Sequence, residues 1–308
     1  MNITFRQLDL FRALVATGSV SGAAREAGVT QPTASVHLRE LAEEIGLPLY
    51  EVIGRTVHLT EAGKELAASA RIMQDEWESY GQKVAALKGA ERGRLRVAVV
   101  STAKYFVPRL LGEFCAAHPG VDVALEVLNR DGVIDRLRQN LDDLYVMSRP
   151  PADLALEDRV FLPNPLVLIC AKGHPLAKRR KIDLRLLAEE RFILREEGSG
   201  TRLAADAHFR AHRFKPKVRL TLGSNEAIKE AVAGGLGLAV VSSHALRLAP
   251  SSGLVVLDVA GFPIASSWHI VYPSGRRLSP VAKVFEEHLV RHARDLSGEL
   301  MRPNHPAR

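Results

Sequence analysis

Six side chains between positions 31 and 39 carry the most pointed chemistry in this 308-residue chain: Gln31, Pro32, Thr33, Ser35, Val36 and Arg39. Gln31 brings an amide that both donates and accepts, and Thr33 and Ser35 bring hydroxyls. Pro32 and Val36 bring small apolar surfaces, and Arg39 brings a cation. Duplex DNA displays the matching set. Base edges take amide and hydroxyl groups, thymine methyls take apolar contact, and phosphates take a guanidinium.

A second constellation fits an anion. Backbone N–H groups at helix starts collect negative charge. Ser101 and Thr102 follow the apolar run LRVAVV, and Gly198-Ser199-Gly200-Thr201-Arg202 follows RFIL. Met147-Ser148-Arg149 closes another short run, and Ser224-Asn225 opens a helical segment. Lys104, Arg149, Arg195 and Arg202 add cations, and arginine suits bidentate phosphate contact. On the alternative reading, Gly198 and Gly200 only shape a turn and the arginines are solvated.

Elements must position these groups. Ala34, Leu38, Leu41 and Ile45 repeat at 4-3-4 spacing, which predicts a helix with one apolar face and leaves Pro32, Thr33, Val36 and Arg39 on the other, flanked by Gln31 and Ser35. Thr30 is its expected N-cap, with Pro32 in the first turn. A helix over Phe5–Ala16 precedes it, followed by a second one capped by Ser19 or Ser21 and ended by Gly28. Alternation around Ile53-Gly54-Arg55 predicts a hairpin, the wing of a winged helix-turn-helix. By analogy with winged modules Arg55 enters a minor groove; otherwise it is a solvated hairpin tip. Leu66, Ala70, Met73, Trp77, Tyr80, Val84 and Leu87 form an a/d seam, as in a two-stranded coiled coil, against the alternative of one helix packed on its own domain.

From Arg94 onward strands alternate with helices: LRVAVV, VDVALEVL, DLYVM, LVLICA, RFIL, KVRLTL, GLAVV, LVVLDV and WHIVY, then a helix near Pro280–Leu296. This predicts parallel sheets with helices on both faces, too many strands for one small sheet, and hence two lobes with a cleft. The fold class is α+β multidomain, with a winged helix-turn-helix over 1–60, a dimerisation linker helix over 61–90 and a two-lobed, periplasmic-binding-protein-like α/β domain over 91–308. Lobe I takes about 91–163 and 267–308, lobe II about 164–266. The tail after Ser297 is expected to be disordered.

Composition narrows the function. The net charge is +7, yet residues 1–90 carry −2, so DNA binding should rest on a few aimed contacts; much of the basic excess is assigned to the C-terminal arginines, Arg276 among them. No secretory signal and no membrane-length apolar run is visible, and two lone cysteines fit a reducing cytoplasm. Cys115 reads as a core residue. His208/His212 and His288/His292 have i, i+4 metal spacing but no third ligand beyond Glu286 or Glu287, so they read as solvated helix faces and no metal is expected. No G-x-S-x-G elbow, P-loop or H-E-x-x-H occurs, so no enzyme is expected.

The phrase GSVSGAAREAGVTQPTASVHLRELAEEIGLPLYEVIGRTVHLTEAG and the order of elements behind it resemble the LysR-type transcriptional regulators. STAKYFVPRLL, NRDGVIDRLRQNLDDLYVMSRPP, NPLVLICAKGHPLA and REEGSGTRLA resemble the RuBisCO-operon (CbbR-type) branch of that family. Val36 stands where many members have arginine, which bears on operator sequence. The resemblance implies an inducer pocket at Ser101, Thr102, Ser148, Ser199, Thr201, Arg202 and Asn225, to which the cations Lys104 and Arg149 read above are added as effector contacts. It implies no cofactor but a small-molecule effector, such as a sugar phosphate or NADPH. It implies a cytoplasmic protein whose partners are an operator duplex, further copies of itself as dimer and tetramer, and RNA polymerase. The alternatives are a regulator of unrelated metabolic genes with an organic-acid inducer, and a solute-binding protein.

Overall fold

The computed structural model describes residues 2–54, 56–87, 92–247 and 253–300. Two units divide the chain, Met1–Val84 and Ala85–Arg308, so most of the long helix belongs with the first.

In the first unit each helix starts where a hydroxyl satisfies an orphan N–H. Thr4 opens α1 (Phe5–Thr17) in a reciprocal box with Gln7. Ser19, not Ser21, caps α2 (Val20–Glu26), its Oγ accepting from the Gly22 amide at 3.1 Å. Thr30 caps α3 (Gln31–Ile45) by accepting from the Thr33 amide. β1 (Tyr50–Ile53) pairs antiparallel with β2 (Thr56–Leu59), and Gly54 supplies the positive φ of +67° at the tip. Arg55 lies outside the described residues. Phe11, Leu14, Ala34, Leu38, Leu41 and Leu49 form the core.

α4 (Glu61–Leu87) corrects part of the seam. Ala70 is buried in this unit's own core and Leu66 packs against it. These two positions therefore serve the domain itself. Farther along, Met73, Trp77 and Tyr80 are 42%, 62% and 56% exposed. A 3.5-residue repeat cannot distinguish a helix's own core from a partner over its first two turns. Gly63 permits the close approach at the start of α4, since a Cβ there would lie 1.9 Å from the Leu49 carbonyl oxygen.

The second unit contains β3 (Gly93–Val100), α5 (Val107–Ala117), β4 (Val121–Leu128), α6 (Arg130–Arg138), β5 (Leu144–Met147) and β6 (Leu156–Pro163). There follow β7 (Leu166–Ala171), β8 (Arg191–Arg195), α7 (Gly200–Ala211), β9 (Lys217–Leu222), α8 (Asn225–Ala233) and β10 (Leu238–Ser242). α9 (His244–Arg247), β11 (Leu254–Val256), β12 (Ser267–Pro273) and α10 (Pro280–Leu300) complete it. Two five-stranded sheets result, ordered β4-β3-β5-β12-β6 and β11-β7-β10-β8-β9.

The sheets are mixed, which corrects the parallel expectation. β3 runs parallel to β4 and β5, and β8 parallel to β9 and β10. β12 is antiparallel to β5 and β6, and β7 antiparallel to β10 and β11. The reversed strands β7 and β12 each follow one of the two crossings between lobes. The crossing segments hold each other: the Asn164 amide donates to the Ser266 carbonyl at 2.8 Å, and Leu166 bridges Ile264. β6 escaped sequence reading because Glu157, Asp158, Arg159 and Val160 are all exposed on this edge strand, so no alternation is written in it. α10 extends through Leu300, past the predicted start of the tail. Arg276 is no tail residue: its Nη2 donates to Asp143 Oδ1 at 2.9 Å with the side chain 11% exposed. Cys170 is the buried cysteine, burial pushing its thiol up to about 11, while Cys115 is half-buried.

Replacing Gly63 with Ala drives a methyl into the Leu49 carbonyl, at an expected cost of about 1–3 kcal/mol or more. Urea unfolding of the full-length chain, followed by circular dichroism, checks this; an unchanged midpoint contradicts the close approach.

Candidate nucleic-acid interface and effector cleft

α3 separates its two faces as its sequence requires. Ala34, Leu38 and Leu41 are buried, while Gln31, Pro32, Thr33, Ser35, Val36 and Arg39 are all exposed. Ser21, from α2, donates to Gln31 Oε1 at 3.0 Å and braces the amide that leads the helix. The Thr30 and Thr33 hydroxyls are 2.8 Å apart. Arg39 Nε lies 3.8 Å from Glu43 Oε1 with both side chains 69% exposed, so that pair is worth under about 1 kcal/mol and leaves the guanidinium available to a phosphate.

In the second unit, strand ends and helix starts converge from both lobes. Ser101 and Thr102 follow β3 and Ser148 follows β5 in lobe I; Arg195 ends β8, Ser199 caps α7, and Asn225 opens α8 in lobe II. Thr102, Ser148, Ser199, Thr201 and Asn225 are buried, and so is Arg195 at 4% exposure. Arg195 Nη1 donates to Asn225 Oδ1 at 3.0 Å and Thr102 Oγ1 at 3.4 Å, while Nη2 reaches Ser101 Oγ at 3.4 Å. Asn225 Nδ2 donates to Thr102 Oγ1 at 3.2 Å. The guanidinium thus touches both lobes. Its remaining fork is filled by Glu196, which accepts from Nε and Nη2 at 2.7 Å each. Gly200 lets the start of α7 meet lobe I, because a Cβ there would lie 2.4 Å from Ser148 Oγ.

Of the four cations read as anion ligands, two are paired with acids and a third, Arg149, is exposed. Arg202 bonds Asp206, one turn along its own helix, at 2.8 and 3.0 Å, and its Nη1 donates to the Arg195 carbonyl. Arg149 is exposed, and its carbonyl accepts from Arg130 at 3.0 Å. Lys104 donates to Glu226 at 3.1 Å across the lobes. Spacing places a cation near a loop; it does not reveal an acid on the neighbouring turn. Arg195 alone of the four enters the buried centre.

Sequence reading also missed the latch beside it. The Tyr105 hydroxyl donates to Glu226 Oε1 at 2.7 Å, and Ser224 Oγ donates to Oε2 at 2.9 Å. Burial pushes the Tyr105 phenol up, and Glu226 pushes it further. Burial opposes ionisation of Glu226, but bonds from Tyr105, its own backbone amide, Lys104 and Ser224 hold its carboxyl down to about 2. Lys229, behind Tyr105, is 2% exposed and donates to the Ala245 carbonyl at 3.0 Å. Only the motif STAKYF, with Lys104 beside Tyr105, hinted at this group.

Because Glu226 titrates below its ordinary 4.5, the latch contributes stability that is complete above about pH 4.5 and is lost as pH falls towards 2. Thermal midpoints of the native chain and Glu226→Gln are expected to differ by a constant amount above pH 4.5, with the native chain ahead, and to converge on acidification. A gap that widens as pH falls contradicts the latch.

Comparison with known proteins identifies both parts of the chain. The helix-turn-helix model of the bacterial regulatory LysR family matches residues 5–64, and the LysR substrate binding domain matches residues 88–294. The chain is 44% identical to the HTH-type transcriptional activator CmpR of Synechocystis, over 94% of this chain and 96% of that one. It is 45% identical to the RuBisCO operon transcriptional regulator of Acidithiobacillus ferrooxidans, over 93% of each. The structure of the Synechocystis CcmR regulatory domain in complex with 2-PG is 46% identical, covers 67% of this chain and 99% of that one, and superposes with a TM-score of 0.64. These relatives are regulators and not enzymes. With an exposed helix-turn-helix face in one unit and a two-lobed ligand-binding domain in the other, the chain belongs to the LysR family of DNA-binding transcriptional regulators.

Proposed function

We propose that this regulator controls carbon-fixation-type genes and senses a small phosphorylated carboxylate in the cleft around Arg195. The observation that carries the reading is the buried guanidinium with partners in both lobes. An anion bonded there contacts Ser101 and Thr102 from one side and Asn225 from the other, so its affinity depends on lobe geometry, and it shifts that geometry in return. The N-termini of α7 and α8 add partial positive charge, and the hydroxyls of Ser148, Ser199 and Thr201 add donors. Glu196 acts as a resident anion that the ligand displaces. Support for a phosphorylated ligand comes from the CcmR complex with 2-PG, 2-phosphoglycolate. The tight packing of buried polar groups favours a ligand of that size over NADPH or a large sugar phosphate.

On the DNA side, Gln31, Thr33 and Ser35 read base edges, Pro32 and Val36 meet thymine methyls, Arg39 neutralises a phosphate, and Arg55 reaches a minor groove. The exposed Met73, Trp77 and Tyr80, continued by the Phe5 ring 5.8 Å from Trp77, form the seam on which two chains pair, with Val84 extending it; the Leu87 side chain lies outside the described residues. Dimers assemble into tetramers in the cytoplasm and act on RNA polymerase.

Titration calorimetry with 2-phosphoglycolate, ribulose bisphosphate, NADPH and unphosphorylated glycolate tests the effector. Arg195→Ala is expected to cost about 2–5 kcal/mol of effector affinity while operator binding persists. Binding of glycolate alone, or undiminished affinity in Arg195→Ala, contradicts the reading. Gln31→Ala and Ser35→Ala are each expected to weaken specific operator binding by about 1–3 kcal/mol, with non-specific binding nearly unchanged. Mobility shifts on the operator and on a scrambled duplex measure the difference, and unaltered discrimination in both variants counts against the groove face.

A further inference from the structure

The packing of α5 on α10 brings together three groups that the regulator's work does not use. Glu113 of α5 and His288 and His292 of α10 each present a donor atom, and these atoms lie within 4.8 Å of one another. The i, i+4 pair was readable as a solvated helix face, but both rings are half-buried, and the third group comes from a helix far away in sequence. The rings are already oriented. His288 Nε2 bonds the Leu110 carbonyl at 2.9 Å, and His292 Nδ1 bonds the His288 carbonyl at 2.9 Å. Donation to those carbonyls leaves Nδ1 of His288 and Nε2 of His292 as the nitrogens with lone pairs. A main-chain carbonyl behind each imidazole is the support that metal-bound histidines keep. Aromatic rings wedge His288: Phe285 stacks on it at 6.2 Å and Phe114 meets it edge-on at 5.6 Å.

We propose that Glu113, His288 and His292 bind one borderline divalent transition-metal ion, zinc foremost, which clamps α5 to α10. Two imidazoles and one carboxylate suit Zn2+, with Cu2+ and Ni2+ as competitors, and disfavour the oxygen-seeking Ca2+ and Mg2+. Water completes the coordination. Glu113 is engaged by Arg109 at 3.4 Å with side-chain exposures of 42% and 59%, an exposed ion pair that a divalent ion outcompetes. His208 and His212 provide a comparison inside the same chain. They have the same spacing and the same back-bond, His212 Nδ1 to the His208 carbonyl at 2.8 Å, but among the described residues no third ligand joins them.

The test uses the untagged, full-length, chelator-stripped protein and competition of Zn2+ against a chromophoric chelator. The expected result is one tight zinc per chain. Glu113→Gln and His292→Ala each weaken it at least about tenfold, while a His208→Ala/His212→Ala double variant leaves it unchanged. Zinc also raises the thermal midpoint of the native chain and not that of Glu113→Gln, whose exposed side chain can change without loss of folding. Sub-stoichiometric zinc, full affinity in Glu113→Gln, or equal weakening in the His208/His212 variant overturns the site.

Discussion

A guanidinium taken out of water must find partners for its donors, and that requirement organises the regulatory half of this protein. Arg195 meets it with groups on three separate elements: Ser101 and Thr102 after β3, Asn225 at the start of α8, and its own neighbour Glu196. Together these groups span both lobes. Moving the lobes apart strips Arg195 of partners, and changing its anion alters what the lobes gain by closing. The Tyr105–Glu226–Lys104 group stands beside this centre and adds a second bond set across the same cleft. Sheet topology serves the arrangement, since the parallel strands β3 and β8 deliver their C-terminal ends to the same gap.

The DNA-reading unit follows the opposite electrostatic logic. With a net of −2 over residues 1–90, it does not seize DNA by bulk attraction. It presents a narrow, chemically mixed face on α3, held by the Ala34, Leu38 and Leu41 core contacts and by the Ser21 brace on Gln31. A weakly charged reader of this kind gains from being doubled, and the exposed aromatic surface of Trp77 and Tyr80 on α4 is the face on which we propose that copies pair.

Much of this was legible in the residue order, wherever the determinant is local. The 4-3-4 spacing of α3, the Thr30 cap and the glycine at the hairpin tip each act within a few residues, and the structure has them where spacing puts them. Determinants that act over long separations were not. Leu66 and Ala70 fit a partner seam or a domain core equally well, and the packing of α4 on its own unit decides. Arg202 and Arg195 look alike in sequence; one finds Asp206 a turn away and the other finds Thr102 across the cleft. β6 hid because an edge strand with consecutive charges has no alternation, and Glu113 was invisible as a companion to His288 because only the α5–α10 contact joins them.

The most direct measurement is a crystal structure of the full-length chain saturated with 2-phosphoglycolate. Phosphate oxygens are expected at about 2.7–3.2 Å from the Arg195 guanidinium, with Glu196 turned away from it. A ligand bound elsewhere, with the Arg195–Glu196 fork intact, would contradict it.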